Sequence, residues 1–146
     1  MVNIIYGQHS RNADDKNRVI FLKAAIRDYL GNKFMLSIGF DGNADLRTKE
    51  EFMRYINMLE DQSLFDKRAR IITRSILGNS FEITLDSMNR MTLPKYIVEK
   101  LAIHKEIIFV GAGSLVEMWS KERFDNFEKE YSADDLAAIA QEISNK

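Results

Sequence analysis

Asp14-Asp15-Lys16-Asn17-Arg18 and, 72 residues further on, Asp86-Ser87-Met88-Asn89-Arg90 carry one pattern, Asp-x-x-Asn-Arg, twice. The asparagine suits a left-handed turn, because its short amide side chain tolerates positive φ better than most residues with a Cβ. The aspartate three residues earlier can hold the backbone N–H groups of the turn. The arginine then projects from a fixed base. Extended segments adjoin both copies: Val19 to Phe21 after the first, and the alternating Phe81-Glu82-Ile83-Thr84-Leu85 before the second.

Outward from these turns the correspondence continues. With no gap, the same shift sets Lys23 on Lys95, Lys33 on Lys105, Gly39 on Gly111, and Lys49-Glu50-x-Phe52 on Lys121-Glu122-x-Phe124. Asp14 to Phe52 then holds 9 identities in 39 positions, where unrelated segments would share roughly 2. Apolar positions agree as well: Ile26 with Val98, Leu36 with Ile108, Ile38 with Val110, and Leu46 with Met118. Duplication of one small unit explains this. Residues 7–54 read as the first unit, 55–78 as a helical connection, 79–124 as the second unit and 125–146 as a C-terminal helical segment. Units this small bury too little surface to stand alone, so the halves are expected to share a core.

Each unit reads as strand, turn, strand, short helix, strand, turn, strand, helix, which is an α+β pattern. Ile4 to Tyr6 is a short apolar strand ending at Gly7. Gln8 to Ala13 is too polar for a good strand by itself and depends on pairing with the second unit or a neighbouring chain. Helical spacing runs from Lys23 to Leu30 and stops at Gly31. Phe34 to Phe40 is a strand, Asp41-Gly42-Asn43 a turn, and Thr48 to Glu51 a capping box opening a helix to about Leu59. A further helix covers about Asp66 to Leu77. In the second unit Pro94 opens a helix through Leu101, Glu106 to Gly111 and Leu115 to Trp119 are strands, and Ser120 caps a helix to Lys129. Ser132 caps a last helix with an apolar stripe at Leu136, Ile139, Ala140 and Ile143.

Composition narrows the function. A hydrophobic share of 45% with 29% charged is that of a globular protein. No apolar run approaches the roughly 18 residues of a membrane span, and the N-terminus lacks the pattern of a signal peptide. Without cysteine there is no disulfide framework or thiolate metal site, which fits a reducing compartment. A net charge of −1 speaks against a uniformly basic surface. Yet from Arg11 to Lys33 the chain sets Arg11, Lys16, Arg18, Lys23, Arg27 and Lys33 against only Asp14, Asp15 and Asp28, enough for a basic face.

His9 and His104 have no companion at metal-ligand spacing. Gly111-Ala112-Gly113 lacks the third glycine and the helix of a dinucleotide site. The acidic pairs Asp14/Asp15, Glu50/Glu51 and Asp134/Asp135 suit turns and caps. No nucleophile and base, metal set or phosphate loop appears, so neither an enzyme nor a cofactor is expected. Lys67, Arg68, Arg70 and Arg74 read either as a phosphate patch or as a solvated helix face. Phe109, Trp119, Phe124 and Phe127 read as core or subunit contacts. Arg18 and Arg90 stay open between two roles. A guanidinium fork suits bidentate contact with guanine or phosphate, and it equally suits an ion pair with Asp14 or Asp86 that only stabilises the turn.

In three stretches taken together the chain resembles the MraZ family, within the wider class of AbrB-like swapped-hairpin proteins. These are the doubled Asp-x-x-x-Arg motif, Arg70-Ile71-Ile72-Thr73-Arg74-Ser75-Ile76-Leu77-Gly78 before the second unit's first strand, and Lys105 to Gly111 continuing to Glu117-Met118-Trp119. The resemblance implies two tandem, pseudo-twofold-related swapped-hairpin β units forming a small barrel with flanking helices. It implies a cytoplasmic, nucleoid-associated transcriptional regulator. Such a protein binds short repeated elements of double-stranded promoter DNA, in the division and cell-wall gene cluster and at its own promoter. It also implies a homo-oligomeric ring, an octamer by resemblance, with no membrane and no small-molecule substrate. Arg18 becomes the leading DNA contact, followed by Lys16 and Arg90. Arg11, Lys23 and Arg27 become phosphate contacts by charge and position, while Asp14, Asn17, Asp86 and Asn89 shape the turns.

The chain departs from the family pattern in places. Asn17 and Asn89 stand where glycine is usual, and Leu22 where proline is usual, although Pro94 keeps the proline in the second unit. Met88 matches Lys16 and Glu99 matches Arg27, so the second unit is the less basic. The alternative is a protein-interaction module of the same fold that does not bind DNA.

Overall fold

A computed structural model describes residues 4–20, 24–61 and 64–145. The first half runs β1 (Ile5–Asn12), β2 (Arg18–Ile20), α1 (Ala24–Leu30), β3 (Lys33–Ile38), β4 (Ala44–Arg47), α2 (Lys49–Glu60) and α3 (Lys67–Leu77). The second runs β5 (Ser80–Thr84), β6 (Arg90–Thr92), α4 (Lys95–Lys100), β7 (Glu106–Gly113), β8 (Val116–Ser120), α5 (Lys121–Glu130) and α6 (Ala133–Ser144). The α+β class holds. Six strands form one antiparallel sheet in the order β1-β7-β8-β4-β3-β5, and β2 pairs with β6 in a separate two-stranded ribbon. The expected barrel is not formed. The turns before Arg18 and Arg90 lift β2 and β6 out of the main sheet to pair with each other, which leaves β1 and β5 as unjoined edges.

The first strand of each half pairs with the other half: β1 lies against β7, and β5 against β3. This makes the polar Gln8 to Asn12 segment a strand, with Gln8 opposite Val110 and Asn12 opposite Glu106. Backbone pairing supplies what its side chains do not, since only Ile5 of β1 is buried. The contact is close where Gly7 meets Gly111. Gly7 has φ of 95°, and a Cβ on Gly111 would lie 2.4 Å from the backbone nitrogen of Tyr6.

One core draws on both halves. Val19, Phe34, Leu36, Ala44, Leu46, Met91, Ile97, Ile107, Phe109, Val116 and Met118 are fully buried within it, between one sheet face, the inner side of the ribbon and the short helices. On the other sheet face Phe52, Ile56 and Ile76 pack under α2 and α3, and Ile108, Trp119 and Phe124 under α5. Thr48 caps α2 by accepting from Glu51 N at 3.0 Å, while the Glu51 carboxylate turns to Arg54 instead of closing the expected box. Among the described residues no helix is long and apolar enough to cross a membrane.

The gap-free 72-residue correspondence slips between the turns and β4. The buried pairs Ile26/Ile97 and Leu30/Leu101 of the short helices stand 71 apart, as do Gly31 and Ala102, both at positive φ. In the strands that follow, Ala13 N donates to Lys105 O while Leu85 N donates to Asn32 O, so Asn32 and Lys105, 73 apart, do the same work. The offset returns to 72 by Thr48 and Ser120, which cap α2 and α5. Loops absorb the differences. Lys33/Lys105 and Gly39/Gly111 therefore do not share a place in space, and Arg27 corresponds to Val98 rather than to Glu99.

Candidate nucleic-acid interface

The two turns are built by the same bonds. In the first, Asp14 Oδ1 accepts from Lys16 N at 2.9 Å and from Arg18 N at 2.8 Å, while Arg18 Nε donates to Asp14 Oδ2 at 2.7 Å. Asp14 N donates to Arg18 O and Asn17 N to Asp14 O, closing the loop with Asn17 at φ 59°. In the second, Asp86 Oδ1 accepts from Met88 N at 2.8 Å and Arg90 N at 2.9 Å. Arg90 Nε donates to Asp86 Oδ2 at 2.8 Å, and Asn89 also has φ 59°. The backbone N–H of Arg18 is the leading reason that the Asp14 carboxyl lies below its ordinary value. The Arg18 side chain, Lys16 N–H and the nearby positive charge add to it against partial desolvation. Arg90 and Met88 do the same for Asp86.

Each arginine is therefore a turn ion pair, but only through one edge. Asp14 and Asp86 engage Nε. Among the described residues the terminal nitrogens of Arg18 and Arg90 make no other hydrogen bond, and the side chains keep 30% and 25% of their surface exposed. A guanidinium held this way is oriented and keeps donors for a second partner.

The ribbon aims both arginines the same way. Alternate residues of a strand share a face. Val19 and Met91, opposite each other, are fully buried, so Arg18, Ile20, Arg90 and Thr92 face outward. Arg18 stands opposite Thr92 and Ile20 opposite Arg90. The arginines are thus diagonal, about 8 Å apart at Cα given strand spacing and rise. Leu93 N donates to Asn17 O and extends the ladder at one end. The turn tips lie at opposite ends, with exposed Lys16 on one and Met88, 65% exposed, on the other.

The remaining cations are scattered. Arg11 lies on β1 opposite Ile107, its Nη1 donating to Ser10 O at 2.8 Å, and lines a shallow pocket with Glu106. Arg27 is half-buried in the last turn of α1. Lys23 lies outside the described residues. Sequence reasoning passed over Ile20, 64% exposed, and Thr92, which complete the outward face. The signal was the period-two match of Arg18-Val19-Ile20 with Arg90-Met91-Thr92.

On the opposite sheet face two carboxylates meet. Asp45 and Glu117 stand directly across from each other on β4 and β8, and burial raises both carboxyls. Arg47, 3.4 Å from Asp45 and stacked over Tyr55, offsets this only in part. Among the described residues no group of three or more His, Cys, Asp or Glu is placed to hold a metal ion.

An outward ribbon bearing two oriented arginines, on a sheet braced by helices, defines a β-ribbon protein. The chain is 38% identical to the transcriptional regulator MraZ of Mycoplasmopsis synoviae (strain 53), over 98% of this chain and 99% of that one. It is 35% identical to the transcriptional regulator MraZ of Mycoplasmopsis pulmonis (strain UAB CTIP), over 93% and 92%. It is 32% identical to that of Caldanaerobacter subterraneus subsp. tengcongensis, over 97% and 98%. Residues 76–145 match the model of a family described as "MraZ protein, putative antitoxin-like". The chain belongs to the MraZ family, whose named relatives are transcriptional regulators and not enzymes.

Proposed function

We propose that this protein is a cytoplasmic, sequence-specific DNA-binding transcriptional regulator that reads promoter DNA with the β2–β6 ribbon. The observation that carries this is the pair of oriented arginines on one outward face. A two-stranded ribbon fits the major groove of B-DNA, and the free edge of an arginine matches guanine O6 and N7. Arg18, with Lys16 at its tip, leads. Arg90 is the second base contact, and Arg11, Lys23 and Arg27 are phosphate contacts at the margins. Short repeated elements upstream of its own gene, in a division and cell-wall cluster, are the proposed targets.

The doubled turn, the exchanged first strands and a β2–β6 register that maps onto itself under the 72-residue shift support duplication of a swapped hairpin. On this reading 7–54 and 79–124 are the two units, joined by the 55–78 helices and followed by the 125–146 helices. A homo-oligomeric ring would set several ribbons along successive repeats, so that avidity multiplies a weak single contact.

Fluorescence anisotropy on the DNA just upstream of the gene, across a salt series, is the test. Tight specific binding that weakens steeply with salt and is lost in Arg18→Ala supports the reading. Equal binding by Arg18→Ala sinks it. The rival reading, a protein-interaction module, draws on the same Asp14 and Asp86 ion pairs, which account for both arginines without DNA. A folded protein that binds no DNA at low salt would select it.

A further inference from the structure

Both halves end in a helix pair, but only in the first do both helices bury a residue. α3 packs through Ile76 against Phe52 and Ile56 of α2. α6 buries none of its residues. Leu136, Ile139 and Ile143 are 54%, 40% and 66% exposed, and with Ala140 they form one stripe at i, i+3, i+4 and i+7. Only Tyr131 and Ser132 join α6 to α5, and α5 is anchored by Phe124 against Trp119 and Ile108. The reciprocal Ser132–Asp135 capping box fixes where α6 starts. A twelve-residue helix is marginal in water by itself, so the stripe calls for cover. Every charged residue of α6, namely Asp134, Asp135 and Glu142, is acidic.

The complement lies on the first helix pair. Between α2 and α3 runs a groove of about 270 Å³ whose lining includes Leu59, Leu64, Ala69, Thr73, Arg70 and Arg74, with Glu60 as its one acid. α3 carries Lys67, Arg68, Arg70 and Arg74. The groove is apolar within and basic along α3, while the helix is apolar on one stripe and acidic elsewhere.

We propose that α6 of one copy docks in the α2–α3 groove of a second copy of this chain. Leu136, Ile139 and Ile143 cover Leu59, Leu64 and Ala69, and Glu142, on the flank of the stripe, faces Arg70 and Arg74. This is recognition of an amphipathic helix by a groove. Donor and acceptor surfaces differ, so each copy gives one helix and receives one, which is the head-to-tail arrangement that closes into rings. The inference rests on the proposed self-association and is independent of DNA binding.

Sedimentation velocity on the full chain without DNA tests it, with circular dichroism and thermal melting as folding controls. The wild type is expected to assemble. Ile139→Asp, or Arg70→Glu with Arg74→Glu, should lower the mass toward the 16.9 kDa of one chain without loss of helix. Adding Glu142→Lys to the Arg70→Glu, Arg74→Glu chain should restore assembly in part. A monomeric wild type would overturn self-association and docking together. An assembled wild type whose mass ignores these folded variants, or a reversed charge at Glu142 that restores no assembly, would overturn docking alone.

Discussion

At the first turn Asp14 gathers the N–H groups of Lys16 and Arg18, and a lysine stands exposed at the tip. At the second, Asp86 gathers those of Met88 and Arg90 through the same bonds to within 0.1 Å, and the tip is a methionine. The parts that fold the turn (Asp, Asn and the arginine Nε) are the same in both. The exposed tips differ. Turn geometry and surface charge are therefore separate properties of this motif, and the first turn is expected to carry more of the DNA contact than the second.

The largest expected effect is on binding. Replacing Arg18 and Arg90 together by alanine should abolish specific binding in an anisotropy titration. Arg18→Ala alone should cost about 1–3 kcal/mol per contact, and Arg90→Ala less. Equal losses from the two singles would erase the ranking of the turns. Stability should follow the opposite rule, because the backbone is common to both. Asn17→Val and Asn89→Val each force a β-branched residue to positive φ and should lower unfolding free energy by about 1–2 kcal/mol in urea titrations, while glycine at either position should change little. Unequal costs would show that the turns are less alike than their bonds.

Met88→Lys copies the first tip onto the second. It should raise affinity several-fold and steepen the slope of log K against log salt by about 0.9. An unchanged slope would place the second tip away from phosphate. The smallest effect concerns acid. The folded state holds the Asp14 and Asp86 carboxyls below the ordinary value near 3.8. Their contribution is full above that value and is lost as pH falls through the lower folded-state values. Asp14→Asn and Asp86→Asn should each flatten the acid limb of a stability–pH curve by a similar amount. A limb unchanged in either variant would argue that its carboxylate does not hold the turn.

The turns were legible in the sequence because they are local, since every bond that shapes them lies within five residues. The helices with caps, such as α5 and α6, were legible for the same reason. The strand at Gln8 to Asn12 was not, because what makes it a strand is the backbone of β7, about a hundred residues away. The open sheet in place of a barrel is likewise a matter of distant partners: β2 and β6 choose each other, and no residue pattern within either segment records that choice. The slip in the repeat was hidden because length changes around the short helices and the following hairpins cancel by Thr48 and Ser120. Of the candidate site, Arg18 and Arg90 stand in the repeated motif and Lys16 beside the first of them. Ile20 and Thr92 emerge only once Val19 and Met91 are known to point inward. Arg11 and Arg27 rest on charge and position in the sequence, and neither lies on the ribbon.

The measurement that bears most directly on the ribbon uses the absence of cysteine in the chain. Ile20→Cys, carrying a DNA-cleaving iron chelate, is mixed with the DNA upstream of the gene, beside Phe40→Cys on the hairpin between β3 and β4. Discrete cuts at each repeated element from position 20, with none from position 40, are the expected result. Cuts from position 40 and none from position 20, with both proteins bound, would place DNA on another face and contradict the assignment of the ribbon.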